Sequence, residues 1–311
     1  MNTESVGTDP RGGAGGTVFD IGYRDYTGAR EGRPRSRLAI YKDGLRTALG
    51  IGRGGRAKVL PLGFLIVLSV IGLIMALIAG AVDRYTAPGM AERLNLPSHA
   101  DYYGIAATIL FVFAAVVAPE LLCRDKREGV ISLYLVRPLT GSDYIVARWC
   151  AFLTVMLAAA LLPQLILFLG LLLSDPVPLD YLKAHWSDVP KFLTAGTVMA
   201  TYTTTLAMLT ASFTTRRAYA AVFLVGLFVI SAPFTIGLAQ ELDAPLGPWV
   251  SMLNLANIPL HVSDIVFGEV SELTRVAPAR DLGDTVLLGW CLLWIAVPGA
   301  ALWSRCRRLT P

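Results

Sequence analysis

Residues 119–148 read PELLCRDKREGVISLYLVRPLTGSDYIVAR. Charge opens the stretch, at Arg124, Asp125, Lys126, Arg127 and Glu128. An apolar run follows (Val130, Ile131, Leu133, Tyr134, Leu135, Val136), and Arg137 and Pro138 close it. A loop this short has no core of its own, so the apolar run must lie against something else. Two readings stand on physical grounds: a short helix resting on lipid, or a docking element for another protein chain.

What lies on either side decides the fold class. The chain has 311 residues, 54% of them hydrophobic and only 16% charged, against roughly 25% charged in soluble domains. The shortfall comes from long uncharged runs, and about 20 apolar residues suffice to cross a bilayer as a helix. Working outward from the stretch, such runs fall at about 59–82 and 103–122 before it, and at about 144–174, 192–213, 218–239 and 284–303 after it. The expectation is an all-α membrane protein with six transmembrane helices in a domain over 59–304. The stretch itself becomes a loop over 123–143 between spans two and three.

Three other segments have patterns of their own. Residues 1–36 are rich in Gly, Arg and small polar residues and bury too little apolar surface to fold alone; a disordered tail is expected. Over 37–58, Leu38, Tyr41, Leu45, Ala48 and Leu49 recur at helical spacing, opposite Lys42, Asp43 and Arg46, and a glycine-rich joint follows. That pattern predicts an amphipathic helix lying along the membrane interface. The segment 240–283 is apolar in its middle, from Trp249 to Phe267, but Pro259 interrupts it. It predicts one or two short re-entrant or interfacial helices before the last span. Residues 305–311 form a basic tail. The first apolar run opens near Val59, which predicts a retained span rather than a cleaved leader.

Orientation follows from charge. Of the 27 basic residues, only Arg84, Arg93, Lys183, Lys191, Arg275 and Arg280 fall on the side opposite the 123–143 loop. The positive-inside rule then places both termini in the cytoplasm of a multi-pass cell-membrane protein. The basic balance is that of a membrane protein, and no aromatic and basic interleaving points to nucleic acid.

Chemistry is sparse. There is no HExxH, no GxSxG and no Gly-Lys pair anywhere, so no P-loop. The three histidines lie far apart, and the four cysteines have no metal-like spacing; the expectation is no catalytic residue, no metal and no cofactor in this chain. The span interiors carry almost no ionisable groups, which disfavours an ion-coupled transporter. Energy for any uphill transport must come from elsewhere.

Within the spans, Gly72, Ala76 and Gly80 form a small-xxx-small seam, within the chain or between copies. Pro163 predicts a kink in span three. Thr197, Thr201, Thr204 and Thr205 lie near one face of span four. They line a pathway, or they bond to their own helix backbone. Glu120 and Arg148 sit at the two sides of the loop's base, where they are placed to pair.

The central stretch also resembles the loop between the second and third spans of ABC-2-type (type V) ABC transporter permeases. The matching residues are Glu120, Arg124, Asp125, Arg127, Glu128, Gly129, Leu133, Tyr134, Leu135, Arg137, Pro138, Tyr144 and Arg148. The resemblance covers about a tenth of the chain. It implies that the loop is a coupling helix docking on a separate ABC ATPase subunit, which would hold ATP and Mg. It assigns that contact to Arg127, Glu128, Gly129, Leu133, Tyr134, Leu135, Arg137 and Pro138. It makes the 37–58 helix a connecting helix, and it implies a dimer with a second permease copy or paralogue, usually for export. The alternative function is a membrane anchor or assembly component whose loop recruits a cytoplasmic protein without transport.

Overall fold

The computed structural model describes residues 32–52, 54–85, 98–135, 139–242, 246–271, 274 and 277–307. It is all-helical, with no strand among the described residues. In order come α1 (Gly32–Ala48), α2 (Gly55–Tyr85), α3 (His99–Arg127), α4 (Val130–Leu135), α5 (Gly141–Ser174), α6 (Pro178–His185), α7 (Asp188–Ser212), α8 (Arg217–Glu241), α9 (Leu246–Ser251) and α10 (Ile258–Phe267). A 3₁₀ turn (Pro278–Leu282) leads into α11 (Asp284–Arg307). Six of these helices are long and apolar enough to cross a membrane: α2, α3, α5, α7, α8 and α11. The expected tail over 1–36 lies outside the described residues, except that Gly32–Ser36 already belong to α1.

Local sequence explains where the long helices begin. The Ser98 hydroxyl accepts a hydrogen bond from the Ala100 amide, and the Asp101 carboxylate accepts one from the Ser98 amide. Thr140 and Asp143 repeat that reciprocal arrangement at the start of α5. Each box satisfies amides that the first turn leaves without partners. Gly129, with φ +66°, makes the left-handed turn that separates α3 from α4.

The helices divide into a centre and a rim. In their most apolar stretches α3 and α7 are 67% buried, whereas α2, α8 and α11 are 28%, 17% and 22% buried. The rim presents Ile66, Leu77, Val222, Ile230 and Leu292 outward. An apolar belt of that extent belongs against acyl chains rather than water. Inside, phenols bridge helices: Tyr103 Oη donates to the Phe192 carbonyl (2.8 Å) and Tyr102 Oη to the Leu68 carbonyl (3.4 Å).

The small-residue seam packs within the chain. A methyl added at Gly72 would lie 2.8 Å from the Pro163 carbonyl oxygen, and one at Gly170 would lie 2.5 Å from Ala76 Cβ. Gly72, Ala76 and Gly80 thus let α2 approach Pro163, Gly170 and Ser174 of α5 closely.

The segment before α11 is re-entrant, as its broken pattern predicts. His99, at the start of α3, stacks between Phe192 of α7 and Phe267 of α10 at 6.0 and 6.3 Å. Tyr202 lies ten residues further along α7, roughly 10–15 Å deeper at about 1.5 Å per residue. Its hydroxyl donates to the Leu255 carbonyl (2.8 Å), just before α10. The chain therefore dips from the level of Phe192 to that of Tyr202, and α10 climbs back. Trp290 Nε1 donates to the Met252 carbonyl (2.9 Å) and Asn254 Oδ1 accepts from the Ala256 amide (3.2 Å). Non-helical backbone at this depth is tolerable because side chains satisfy it.

α1 differs from its expected setting. Ile40, Gly44 and Ala48 are buried, and Tyr41, Leu45 and Leu49 pack on the core. The face expected to lie in lipid is turned mostly toward the bundle, with Leu38 left exposed. The cause is Gly44. It leaves room for α5, where an added methyl would lie 2.8 Å from Ala151 Cβ.

Candidate functional site

The candidate site is the base of the bundle where α1, α3, α4 and α5 meet. Four elements reach it for separate reasons. α3 continues past its apolar run, so that Asp125 stays on the face of Leu121 and Leu122 and is buried with them. α5 starts at its capping box and presents Tyr144 and Arg148, one turn apart, to the same point. α1 runs alongside the first turns of α5, in the same direction. α4 hangs between α3 and α5.

Arg148 is the hub. Its side chain is 1% exposed. Nη2 donates to Asp125 Oδ2 at 2.7 Å and lies 2.9 Å from Asp43 Oδ2 of α1. Tyr144 Oη also donates to Asp125 Oδ2 (2.7 Å), and the Arg148 guanidinium lies over the Tyr144 ring at 5.7 Å. Nε and Nη1 of Arg148 are buried without a hydrogen-bond partner among the described residues. The two carboxylates are not equivalent. The Asp125 side chain is 11% exposed and that of Asp43 is 55% exposed, so the Arg148–Asp125 pair carries most of the electrostatic weight and the Asp43 contact is screened by water.

A second clasp fixes the start of α1. Arg33 Nε donates to Asp143 Oδ2 (2.8 Å), and Arg37 Nη2 lies 2.5 Å from Asp143 Oδ1. Tyr41 Oη is 3.0 Å from Thr154 Oγ1 further along. Asp143 therefore caps α5 and holds α1 at once.

α4 is fastened to this network by its own side chains. The Tyr134 ring stacks on Tyr144 at 5.9 Å, and Ile131 packs on the core. Burial pushes the Tyr134 phenol up from its ordinary value. The apolar run is thus partly covered by its own chain. Arg127, Glu128 and Gly129 lie exposed at the turn before it. Glu128 sits 3.1 Å from Arg124 and 4.0 Å from Arg127. Arg137, Pro138 and the side chains of Leu133 and Leu135 lie outside the described residues.

The expected pairing of Glu120 with Arg148 does not form. Glu120 is paired with Arg217 at the start of α8, because it points away from α5, toward α8. Arg148 takes Asp125 instead. The C-terminal end of α7 is pinned nearby: the Ser212 carbonyl accepts from Lys126 Nζ and from Arg305 Nε (3.2 Å), cations where the helix dipole favours them.

The threonine face divides. Thr197 and Thr205 donate to the Leu193 and Thr201 carbonyls at 2.7 Å, the backbone-bonded reading. Thr205 also accepts from Trp149 Nε1 (3.2 Å). Thr204 is buried, and its hydroxyl has no partner among the described residues. Thr201 and Thr205 line a groove of about 270 Å³ between α5, α7 and α11, together with Trp149, Gly299 and Trp303.

Asp43, Gly44, Lys126 and Arg217 carry contacts that sequence reasoning missed. Asp125 and Tyr144 belong to the motif, but their convergence on Arg148 was not foreseen. The available signal was the three- and four-residue spacing of Ala118, Leu121, Leu122 and Asp125. No group of three or more His, Cys, Asp or Glu suited to a metal occurs among the described residues. No protein-family model matches this sequence, and no curated protein matches it.

Proposed function

We propose that this chain is the membrane-spanning permease subunit of an ATP-driven ABC transporter of export type, and that α4 with the Arg127–Gly129 turn docks on a separate ATPase subunit. One observation carries the reading. A short helix projects between two long ones, exposes a charged turn, and is tied through Tyr134, Tyr144 and Arg148 to α1, α3 and α5 together. A push on α4 would reach three helices through packed, hydrogen-bonded groups rather than through a slack loop. The absence of a P-loop in the sequence and the motif over residues 120–148 support the same reading. ATP and Mg²⁺ would belong to the partner. A second permease copy or paralogue would complete the assembly, with both termini cytoplasmic.

The test is recovery of the partner. The wild-type chain, extracted from its native membrane in mild detergent, should bring down a P-loop ATPase. Glu128→Arg with Arg127→Glu, both exposed, should lose it without loss of thermal stability. Recovery of a partner with no nucleotide site would favour the anchor reading instead.

A further inference from the structure

The groove between α5, α7 and α11 has a chemistry that the coupling reading does not use. It is lined by Ile145, Val146, Trp149, Thr201, Ile295 and Trp303, together with the small residues Gly299 and Ala300. The two threonines are the polar exceptions, and the Thr205 hydroxyl already holds Trp149 and its own helix. The groove runs from the middle of α7 and α11, at Thr201 and Ile295, toward one end of the bundle. Ile145 is in the second turn of α5, and Trp303 is one turn from the end of α11. At that end, Arg307 lies over the Trp303 ring at 5.5 Å, and Arg305 lies over Phe213 at 4.5 Å. Trp303, which lines the apolar groove, therefore carries a guanidinium on its ring.

We infer that this groove is a binding site for an anionic phospholipid, with one acyl chain between Trp149 and Trp303 and the phosphate at Arg307. The lining matches a hydrocarbon chain, which needs no hydrogen bonds. The guanidinium over Trp303 matches an anionic headgroup. Basic groups at the ends of grooves between spans are suited to such headgroups, and interfacial tryptophans lie at headgroup depth. The inference is independent of ATPase coupling and stands or falls without it.

The test uses the full chain in vesicles of phosphatidylcholine with rising fractions of phosphatidylglycerol, either lipid carrying dibrominated acyl chains that quench tryptophan. Brominated phosphatidylglycerol should quench at about fivefold lower mole fraction than brominated phosphatidylcholine, the weight of one cation at an anionic surface. Trp303→Phe should remove much of that preferential quenching. Arg307→Gln should equalise the two lipids. A methyl at Gly299 would make ordinary contact with Thr205 Cγ2 at 3.6 Å, so Gly299→Leu should fill the groove and abolish the preferential component. If Gly299→Leu does not fold, Arg307→Gln at the exposed helix end carries the test. Equal quenching by the two lipids in wild type, or a preference that survives Arg307→Gln, would overturn the inference. So would a disulfide between copies through Gly299→Cys with no quenching, which would make the groove a copy interface.

Discussion

Arg148 and Asp125 meet across the base of α5 and α3, 2.7 Å apart, with the guanidinium 1% exposed. Breaking a buried pair by removing one partner costs about 3–5 kcal/mol, because the other charge is left uncompensated. Asp125→Ala should therefore lower thermal stability far more than Asp43→Ala, whose carboxylate is half in water. A double-mutant cycle on Arg148 and Asp125, read by thermal unfolding in detergent, should give a coupling of a few kcal/mol. Additive losses would mean that the pair is not formed.

Gly44 decides how closely α1 lies on α5. Gly44→Ala places a methyl 2.8 Å from Ala151 Cβ, and overpacking of this kind costs about 1–3 kcal/mol. The loss should be recovered in Gly44→Ala/Ala151→Gly. Limited proteolysis between α1 and α2 should report the same order, with the single variant cut fastest. If Ala151→Gly does not restore protection, the two helices do not meet at that point.

The α2–α5 seam has its own control within one helix. Gly72→Ala would press on the Pro163 carbonyl, whereas Gly63→Ala meets nothing within 4 Å. The first should destabilise by about 1–3 kcal/mol. The second should be neutral or gain up to about 1 kcal/mol from helix propensity. Equal melting temperatures for both variants would contradict a seam within the chain.

Orientation requires introduced cysteines. Cys123 and Cys306 are buried at 0% and 3% exposure, so an impermeant thiol reagent should reach neither in the folded protein. In a Cys150→Ser background, Arg127→Cys should label only from the cytoplasm. Lys183→Cys, whose parent side chain is 77% exposed, should label only from outside. The reverse pattern would invert the proposed topology.

Much of this architecture was legible because it depends on runs of one residue class. Six apolar stretches mark six helices, and the Pro259 interruption marks the re-entrant segment. α3 and α5 start earlier than their apolar runs, because the reciprocal caps Ser98/Asp101 and Thr140/Asp143 begin each helix in polar sequence. The base of the bundle was less legible. Five successive charged residues precede Gly129, and no local rule says which of them turns inward. Asp125 does so because the helical phase of Leu121 and Leu122 continues through it, whereas Glu120 lies on the side of α8. The inward turn of α1 depends on the close approach at Gly44, a long-range contact that an amphipathic pattern does not reveal. The partial covering of α4 by Tyr144 also depends on tertiary packing, so the stretch looks more exposed in sequence than it is.

The most direct measurement is a site-specific crosslink from the turn before α4. With a photoreactive residue in place of Arg127 in native membranes, the account predicts one dominant adduct, to a protein carrying a P-loop. Its yield should change when ATP is replaced by ADP. Adducts only to lipid, or to a partner without a nucleotide site, would contradict the account.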